Sequence, residues 1–364
     1  MPNSNPVFYS IAAQPDNLGD VVIRKILLDW LDDSKRPMFI LVSTMPESYV
    51  RAFSVPGSAT LIRNPFHYQL RLIRALLVGR PSIVFAPGPQ IIGYSGRARA
   101  KSVVNAINSI LVKLRRGQVL IVGRSYSGNK VIARSVERIT ARLADLCVVR
   151  DTGSLDTLAL KRFVAPDLAY FKPSSGIGSS QDRPQVAVSL RGDKPASSGT
   201  LEWIKLFAAS RGLSIILVTQ VARDDAQHHN VASELGCDVV EWQSNDYVAQ
   251  LKRVENAYAH SAFVITDRLH AAILGARNGA IPICIVHPGV DKLPKTLSVV
   301  GEPKLMEPEI VTPIFIDKDN FSVERGKVVA DVEAASARLE DIRAMVLTTL
   351  SDTGGQNQIE RGSD

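Results

Sequence analysis

Residues 262–292, AFVITDRLHAAILGARNGAIPICIVHPGVDK, decide the fold. An apolar run, Ala262 to Ile265, reads as a strand and ends on the charged cluster Asp267-Arg268-Leu269-His270. Small and apolar residues suited to a helix follow. A second apolar run, Ile281 to Val286, then leads to Asp291-Lys292. Strand, polar turn, helix and strand make a βαβ unit, with parallel strands and a right-handed crossover. In such sheets ligands sit at the carboxyl ends of the strands. Here that edge carries an arginine, a histidine and a lysine, which predicts an anion-binding catalytic site.

The same alternation extends in both directions. Upstream, apolar runs at 7–13, 38–43, 82–86, 118–123 and 146–149 alternate with helical patterns at 21–31, 68–78, 98–115 and 130–143. After residue 185, strands at 186–190, 214–218 and 238–241 alternate with helices at 199–210, 225–235 and 246–259. Strands alternating with helices predict parallel sheets covered on both faces. Between the two series, FKPSSGIGSSQDRP (171–184) is rich in Pro, Gly and Ser without periodicity, as a linker is. The expected architecture is α/β, with two Rossmann-like domains, GT-B-like, and the active site in the cleft between them. The first domain spans 1–175, the linker 176–184 and the second domain 185–350, which ends in a long helix over 323–350. Residues 351–364 read as a disordered tail.

Composition sets bounds on function. The chain has 364 residues, 45% hydrophobic and 22% charged, with a formal charge of +7. That balance favours anionic ligands or an anionic membrane surface. No RRM, zinc-finger or basic-zipper pattern points to nucleic acid. Cys147, Cys237 and Cys284 stand singly, against a disulfide framework or a zinc site. No secretory leader or membrane-spanning run is evident, so a cytoplasmic protein is expected, with peripheral contact at the inner membrane face compatible.

Several motifs cluster at strand ends. Asn17, Gly19 and Asp20 join the first strand to the first helix, where exposed amides attract anions; the plain alternative is a helix cap. Gly88 lies in a Gly- and Pro-rich loop that does not match a phosphate-binding loop. Arg150-Asp151-Thr152-Gly153-Ser154 follows the strand 146–149. Ser189-Leu190-Arg191 ends the first strand after the linker, aiming Arg191 at the cleft or pairing it with Asp193 or Asp224. In Asp267-Arg268-Leu269-His270, the guanidinium offers a planar fork for carboxylate or phosphate. The histidine can exchange a proton near neutral pH, and Asp267 can orient either group. His228 and His229, adjacent on a polar helix, read as solvated. No HExxH or GxSxG signature is present.

In this order the motifs resemble the polysaccharide pyruvyl transferase family. The family's N-x-GD is matched by Asn17, Gly19 and Asp20, its R-D-x-x-S by Arg150, Asp151 and Ser154, and its P-D-x-A by Pro166, Asp167 and Ala169. S-L-R is matched by Ser189 to Arg191, and (S/T)-D-R-L-H-A by Thr266 to Ala271. The chain departs from the family's glycine-rich segment with APGPQ, and from its G-x-P with Gly279-Ala280-Ile281-Pro282. The family lysine then falls on Lys292 or Lys295. The resemblance implies transfer of pyruvate from phosphoenolpyruvate to two hydroxyls of a sugar as a ketal, in cell-surface or exopolysaccharide biosynthesis. It also implies His270 and Arg268 as catalytic residues, and Arg150, Arg268, Leu269, His270 and Lys292 as the phosphoenolpyruvate site. Asn17, Gly19, Asp20, Gly88, Arg191 and Asp267 would line the acceptor side or cleft. No metal or further cofactor is implied, and the saccharide acceptor is lipid-linked or otherwise. The alternatives are a GT-B-type glycosyltransferase using a nucleotide sugar, or a binding relative without catalysis.

Overall fold

The computed structural model describes residues 5–128, 130–174, 177, 182–243, 246–287, 292–306 and 320–351. Most of the expected linker and the whole of 352–364 in the expected tail lie outside the described residues. The first eight strands are β1 (Val7–Ser10), β2 (Met38–Leu41), β3 (Ala59–Ile62), β4 (Ser82–Phe85), β5 (Gly88–Ile91), β6 (Val119–Ser127), β7 (Leu146–Val149) and β8 (Phe163–Val164). They form one parallel sheet in the order β3-β2-β1-β4-β6-β7-β8, with β5 also paired to β6. The other six are β9 (Gln185–Ser189), β10 (Ser214–Val218), β11 (Asp238–Val240), β12 (Ser261–Thr266), β13 (Ile281–Ile285) and β14 (Lys304–Met306). They form a second parallel sheet, β11-β10-β9-β12-β13-β14.

Strand order reverses between β1 and β4 in the first sheet and between β9 and β12 in the second. At such switch points the flanking helices diverge and leave a crevice at the strands' carboxyl ends. The predicted site residues therefore follow β1, β4, β7, β9 and β12. The two Rossmann-like domains expected from the alternation are present. The sequence reading missed β3 (ATLI), β5 (GPQI), β8 (FV) and β14 (KLM), none of which is a run of four apolar residues. It also set the first helix at Val21. The helix runs Leu18–Asp33, because the Asn17 side chain caps it by accepting from Gly19 N at 3.0 Å.

One apolar core joins the halves, running from Tyr9 and Trp30 through Ala169 to Ile273 and Leu339. Backbone contacts reinforce it: Leu18 N donates to Gln220 O at 3.1 Å, and Ala222 N to Asp16 O at 2.8 Å. The last helix, Phe321–Ser351, touches both halves. Arg325 Nε donates to Gly279 O at 3.1 Å near its start, and Arg36 Nη1 donates to Leu350 O at 3.0 Å near its end.

The helix Leu269–Arg277 sits tightly on β12. A Cβ added at Gly275 would stand 2.5 Å from Val264 Cγ2, so the helix approaches the strand only because this position lacks a side chain. Overpacking of a tight core contact costs about 1–3 kcal/mol. Gly275→Ala is therefore expected to lower the free energy of unfolding by an amount in that range, read as a lower midpoint in urea titration. An unchanged midpoint would contradict the close packing.

Candidate active site

Thr266, the last residue of β12, sets the turn that carries the charged cluster. Its Oγ1 donates to Ser189 O at 2.5 Å and accepts from Arg268 N at 2.9 Å, tying β9 and β12 together at the switch point. Arg268 is then the N-cap residue of the helix Leu269–Arg277, without a side-chain cap. His270, in the helix's first turn, reaches across to the first domain. A Cβ on Gly19 would lie 2.0 Å from His270 Nδ1, so the imidazole rests where any other residue at position 19 would place its side chain. His270 Nε2 stands 3.8 Å from Asp167 Oδ2, close enough for an ion pair but too far for a hydrogen bond. Nε2 has no hydrogen-bond partner among the described residues.

Arg150 follows β7 and is 1% exposed. Its Nη1 donates to Asp167 Oδ2 at 2.6 Å, while its Nε is buried and unpartnered. Asp167 Oδ1 accepts from Ala169 N at 2.9 Å and so caps the short turn Leu168–Tyr170. Burial pushes the Asp167 carboxyl up, but the Arg150 guanidinium and the His270 imidazole outweigh it and hold the group well below the usual carboxylate range. The neighbouring Asp151 and Ser154 are structural. Asp151 Oδ1 accepts from Ser154 N and Oγ at 2.8 Å, and Ser154 Oγ accepts from Tyr126 N at 2.7 Å.

Arg268 Nη2 donates to Asp224 Oδ1 at 2.5 Å, again leaving a buried Nε unpartnered. Asp224 Oδ1 also accepts from Gly192 N at 2.8 Å, which ties the guanidinium to the turn after β9. Asp267 Oδ1 accepts from Arg191 N at 2.9 Å, and its Oδ2 lies 2.8 Å from His287 Nε2. Burial pushes the Asp267 carboxyl up, against the pull of His287. The Arg191 guanidinium pairs with Asp193 through both oxygens, at 2.9 and 2.7 Å, which is the pairing alternative for this residue. His228 corrects the sequence reading. It is fully buried, with Nε2 3.0 Å from Leu190 N and Nδ1 2.8 Å from Thr219 Oγ1, and burial pushes its imidazole down. His229 is exposed.

The remaining predicted residues surround this centre. Asp20 forms an ion pair with Arg24 at 3.2 Å, and a Cβ on Gly88 would lie 3.6 Å from Arg24 Nη2, so these three share one corner of the first domain. Leu269 packs into the core. Lys292 begins the helix Lys292–Leu297, but its side chain lies outside the described atoms. Lys295, on the same helix, lies over Gly153, its Cδ 3.6 Å from where a Cβ there would sit. Sequence reading did not match three partners to their groups: Asp167 to Arg150, Asp224 to Arg268 and His287 to Asp267. They lie 17, 44 and 20 residues from the groups they hold, beyond any local pattern.

Removing one partner of a buried ion pair strands the other charge and costs about 3–5 kcal/mol. Asp167→Asn is expected to destabilise the fold by that order near neutral pH, because Arg150 is left buried alone. A depressed folded-state pKa gives stability that is present above the unfolded value, about 3.9, and lost as pH falls toward the folded one. The gap between wild type and Asp167→Asn should therefore be full above about pH 4 and shrink on acidification below it. Urea titrations at several pH values would measure this; a gap independent of pH would refute it.

The fold is similar to that of several solved structures. S. aureus MnaA in complex with UDP matches with TM-score 0.59 and 11% identity, over 97% of this chain and 99% of that one. UDP-GlcNAc 2-epimerase from Neisseria meningitidis, bound to UDP-GlcNAc, matches with TM-score 0.56 and 10% identity, over 95% and 99%. The glycotransferase of kitacinnamycin matches with TM-score 0.56 and 11% identity, over 96% and 100%. No curated protein sequence matches the chain. The sequence profile of the polysaccharide pyruvyl transferases matches residues 17–287, from the Asn17 cap to His287, and so takes in Arg150, Asp167, Arg268 and His270. The chain belongs to the polysaccharide pyruvyl transferase family.

Proposed function

We propose that the protein transfers pyruvate from phosphoenolpyruvate to two hydroxyls of a saccharide as a ketal. One observation carries the reading: Arg150 Nε, Arg268 Nε and His270 Nε2 are buried and without hydrogen-bond partners among the described residues. Each of these atoms can donate to a ligand, and all three side chains follow the carboxyl ends of β7 and β12, where this kind of sheet binds ligands. Phosphoenolpyruvate brings a carboxylate and a phosphate, roughly three charges near neutral pH that need several cations at close quarters. Arg150 and Arg268 supply guanidinium edges, and Lys292 or Lys295 adds a point charge.

In the reaction His270 gives a proton to the methylene carbon, which leaves an oxocarbenium-like centre at C2. A sugar hydroxyl adds there and returns its proton to His270. The C2–O bond to phosphate breaks, with Arg268 offsetting the charge gathered on the leaving oxygen. The second hydroxyl closes the ring, and its proton leaves with phosphate. Asp167, kept ionised beside His270, stabilises the imidazolium at each turn of this cycle. The acceptor lies against the first domain, near Asn17 to Asp20 and Gly88.

The test is incubation with phosphoenolpyruvate and a panel of lipid- and nucleotide-linked saccharides, with mass spectrometry for the pyruvyl adduct. General acid–base catalysis contributes ~10²–10⁴-fold, so His270→Ala should lower turnover by that order and leave phosphoenolpyruvate affinity nearly unchanged. Gly19→Ala should do the same, because it displaces the imidazole. Arg268→Lys keeps a charge for Asp224 but loses the fork, and should weaken phosphoenolpyruvate binding roughly tenfold to a hundredfold. Failure of phosphoenolpyruvate to bind, with nucleotide sugars binding in its place, would overturn the reading in favour of glycosyl transfer.

A further inference from the structure

Charge is unevenly distributed along the chain. From Ser48 to Val136 there are 14 lysines and arginines and not one aspartate or glutamate. The formal charge of the whole protein is +7, so the rest of the chain carries more acid than base. This segment supplies two of the three helices that cover one face of the first sheet and begins the third: Pro65–Val78, Gly96–Leu114 and Val131–Leu143. They lie side by side. Gln69 and Asn108 join the first two through amide hydrogen bonds of 2.6 and 3.0 Å, and Ser102 Oγ donates to Glu137 Oε1 at 2.5 Å to join the second and third. Glu137, the single acid on these helices, is 1% exposed and turned inward, so it does not offset the outer charge.

The outer face is also apolar. Leu77 is 73% exposed, Val78 82%, Ile107 50%, Leu114 73%, Val131 67% and Ile132 84%. Single exposed aliphatics are ordinary, but so many on three adjacent helices suit a contact surface. Between the second and third helices lies a groove of about 360 Å³, walled by Val103, Val131, Ile132 and Val136, with Arg99 and Lys130 also lining it. Both basic residues are exposed.

We propose that this three-helix face docks on an anionic phospholipid surface, and that the groove between the second and third helices takes an acyl chain. Aliphatic side chains enter the boundary between headgroups and tails, while flanking lysines and arginines meet lipid phosphates. A nucleic acid would match the charge but leave the aliphatic groups unmatched. A second copy of the chain would cover the aliphatic groups but bring like charges together. The amino ends of these helices lie at the carboxyl edge of the first sheet, the edge that carries the candidate active site. Docking therefore sets the cleft beside the bilayer, within reach of a membrane-anchored acceptor. The proposal does not depend on the phosphoenolpyruvate reading.

The experiment is co-sedimentation of the full chain with vesicles of phosphatidylcholine alone, or mixed with phosphatidylglycerol, at low and high salt. Binding to the mixed vesicles only, weakened by salt, is expected. Arg99→Glu with Lys130→Glu, the two exposed basic residues that line the groove, should lower partitioning about tenfold or more. Ile132→Asp, at a position exposed enough to leave the fold intact, should also release the protein; circular dichroism melts would check the fold of both variants. Absence of binding to either vesicle, or equal binding by wild type and variants, would overturn the proposal. So would a salt-sensitive preference for duplex DNA without vesicle binding, or a dimer that Ile132→Asp dissociates while vesicles bind neither form.

Discussion

The imidazole of His270 occupies the room that a side chain at residue 19 would need. That contact runs between the two domains, from the first turn of a helix on the second sheet to the first turn of a helix on the first. Its consequences spread in both directions. Leu18 must present its amide to Gln220, and Asn17 must cap its own helix, for the Gly19 backbone to lie where the ring can rest on it. On the other side Thr266 holds the turn before Arg268, and Gly275 lets the following helix settle on Val264. Moving either glycine's backbone by an ångström would move the histidine with it.

Around this contact the charges are arranged in pairs that are costly to bury singly. Asp167 holds Arg150, Asp224 holds Arg268, and Asp267 faces His287. The pair furthest from solvent is Arg150 with Asp167, at 2% and 1% side-chain exposure. A buried ion pair is weak evidence for stability, because desolvation offsets most of the attraction. Its stronger effect is on geometry: a guanidinium gripped on one side by an immobile carboxylate has little freedom left.

The alternation of strands and helices was legible because each βα step repeats a local pattern, and so was the clustering of charge at strand ends. Arg150, Arg268 and His270 could be picked out because their types and their places after apolar runs are both local facts. Their anchors could not. Asp224 is offered by the sequence as a partner for Arg191, yet it sits 1% exposed and holds Arg268, where only the tertiary fold could bring it. His228 looked solvated because its neighbours are polar. It turned out to be a core group holding the end of β9, since a helix's sequence shows which residues share a face but not what that face meets. Gly19 was visible as a turn residue, while the reason for it, an imidazole from the other domain, was not.

The pairing pattern bears on how an anionic donor would be held. Arg150 spends Nη1 on Asp167 and keeps Nε, and Arg268 spends Nη2 on Asp224 and keeps Nε. Each arginine thus has one edge fixed by a carboxylate and keeps Nε as a directed donor. A site built this way gains little from bulk attraction and much from geometry, since its donors need no reorganisation when charge shifts on the ligand. On the proposed chemistry that is an advantage. An arginine edge that met the donor's phosphate would need no rearrangement to meet the charge that gathers on it as it departs. Long-range attraction can then come from elsewhere in the molecule, and the basic helical layer of the first domain, whose one acid is turned inward, is well placed to provide it.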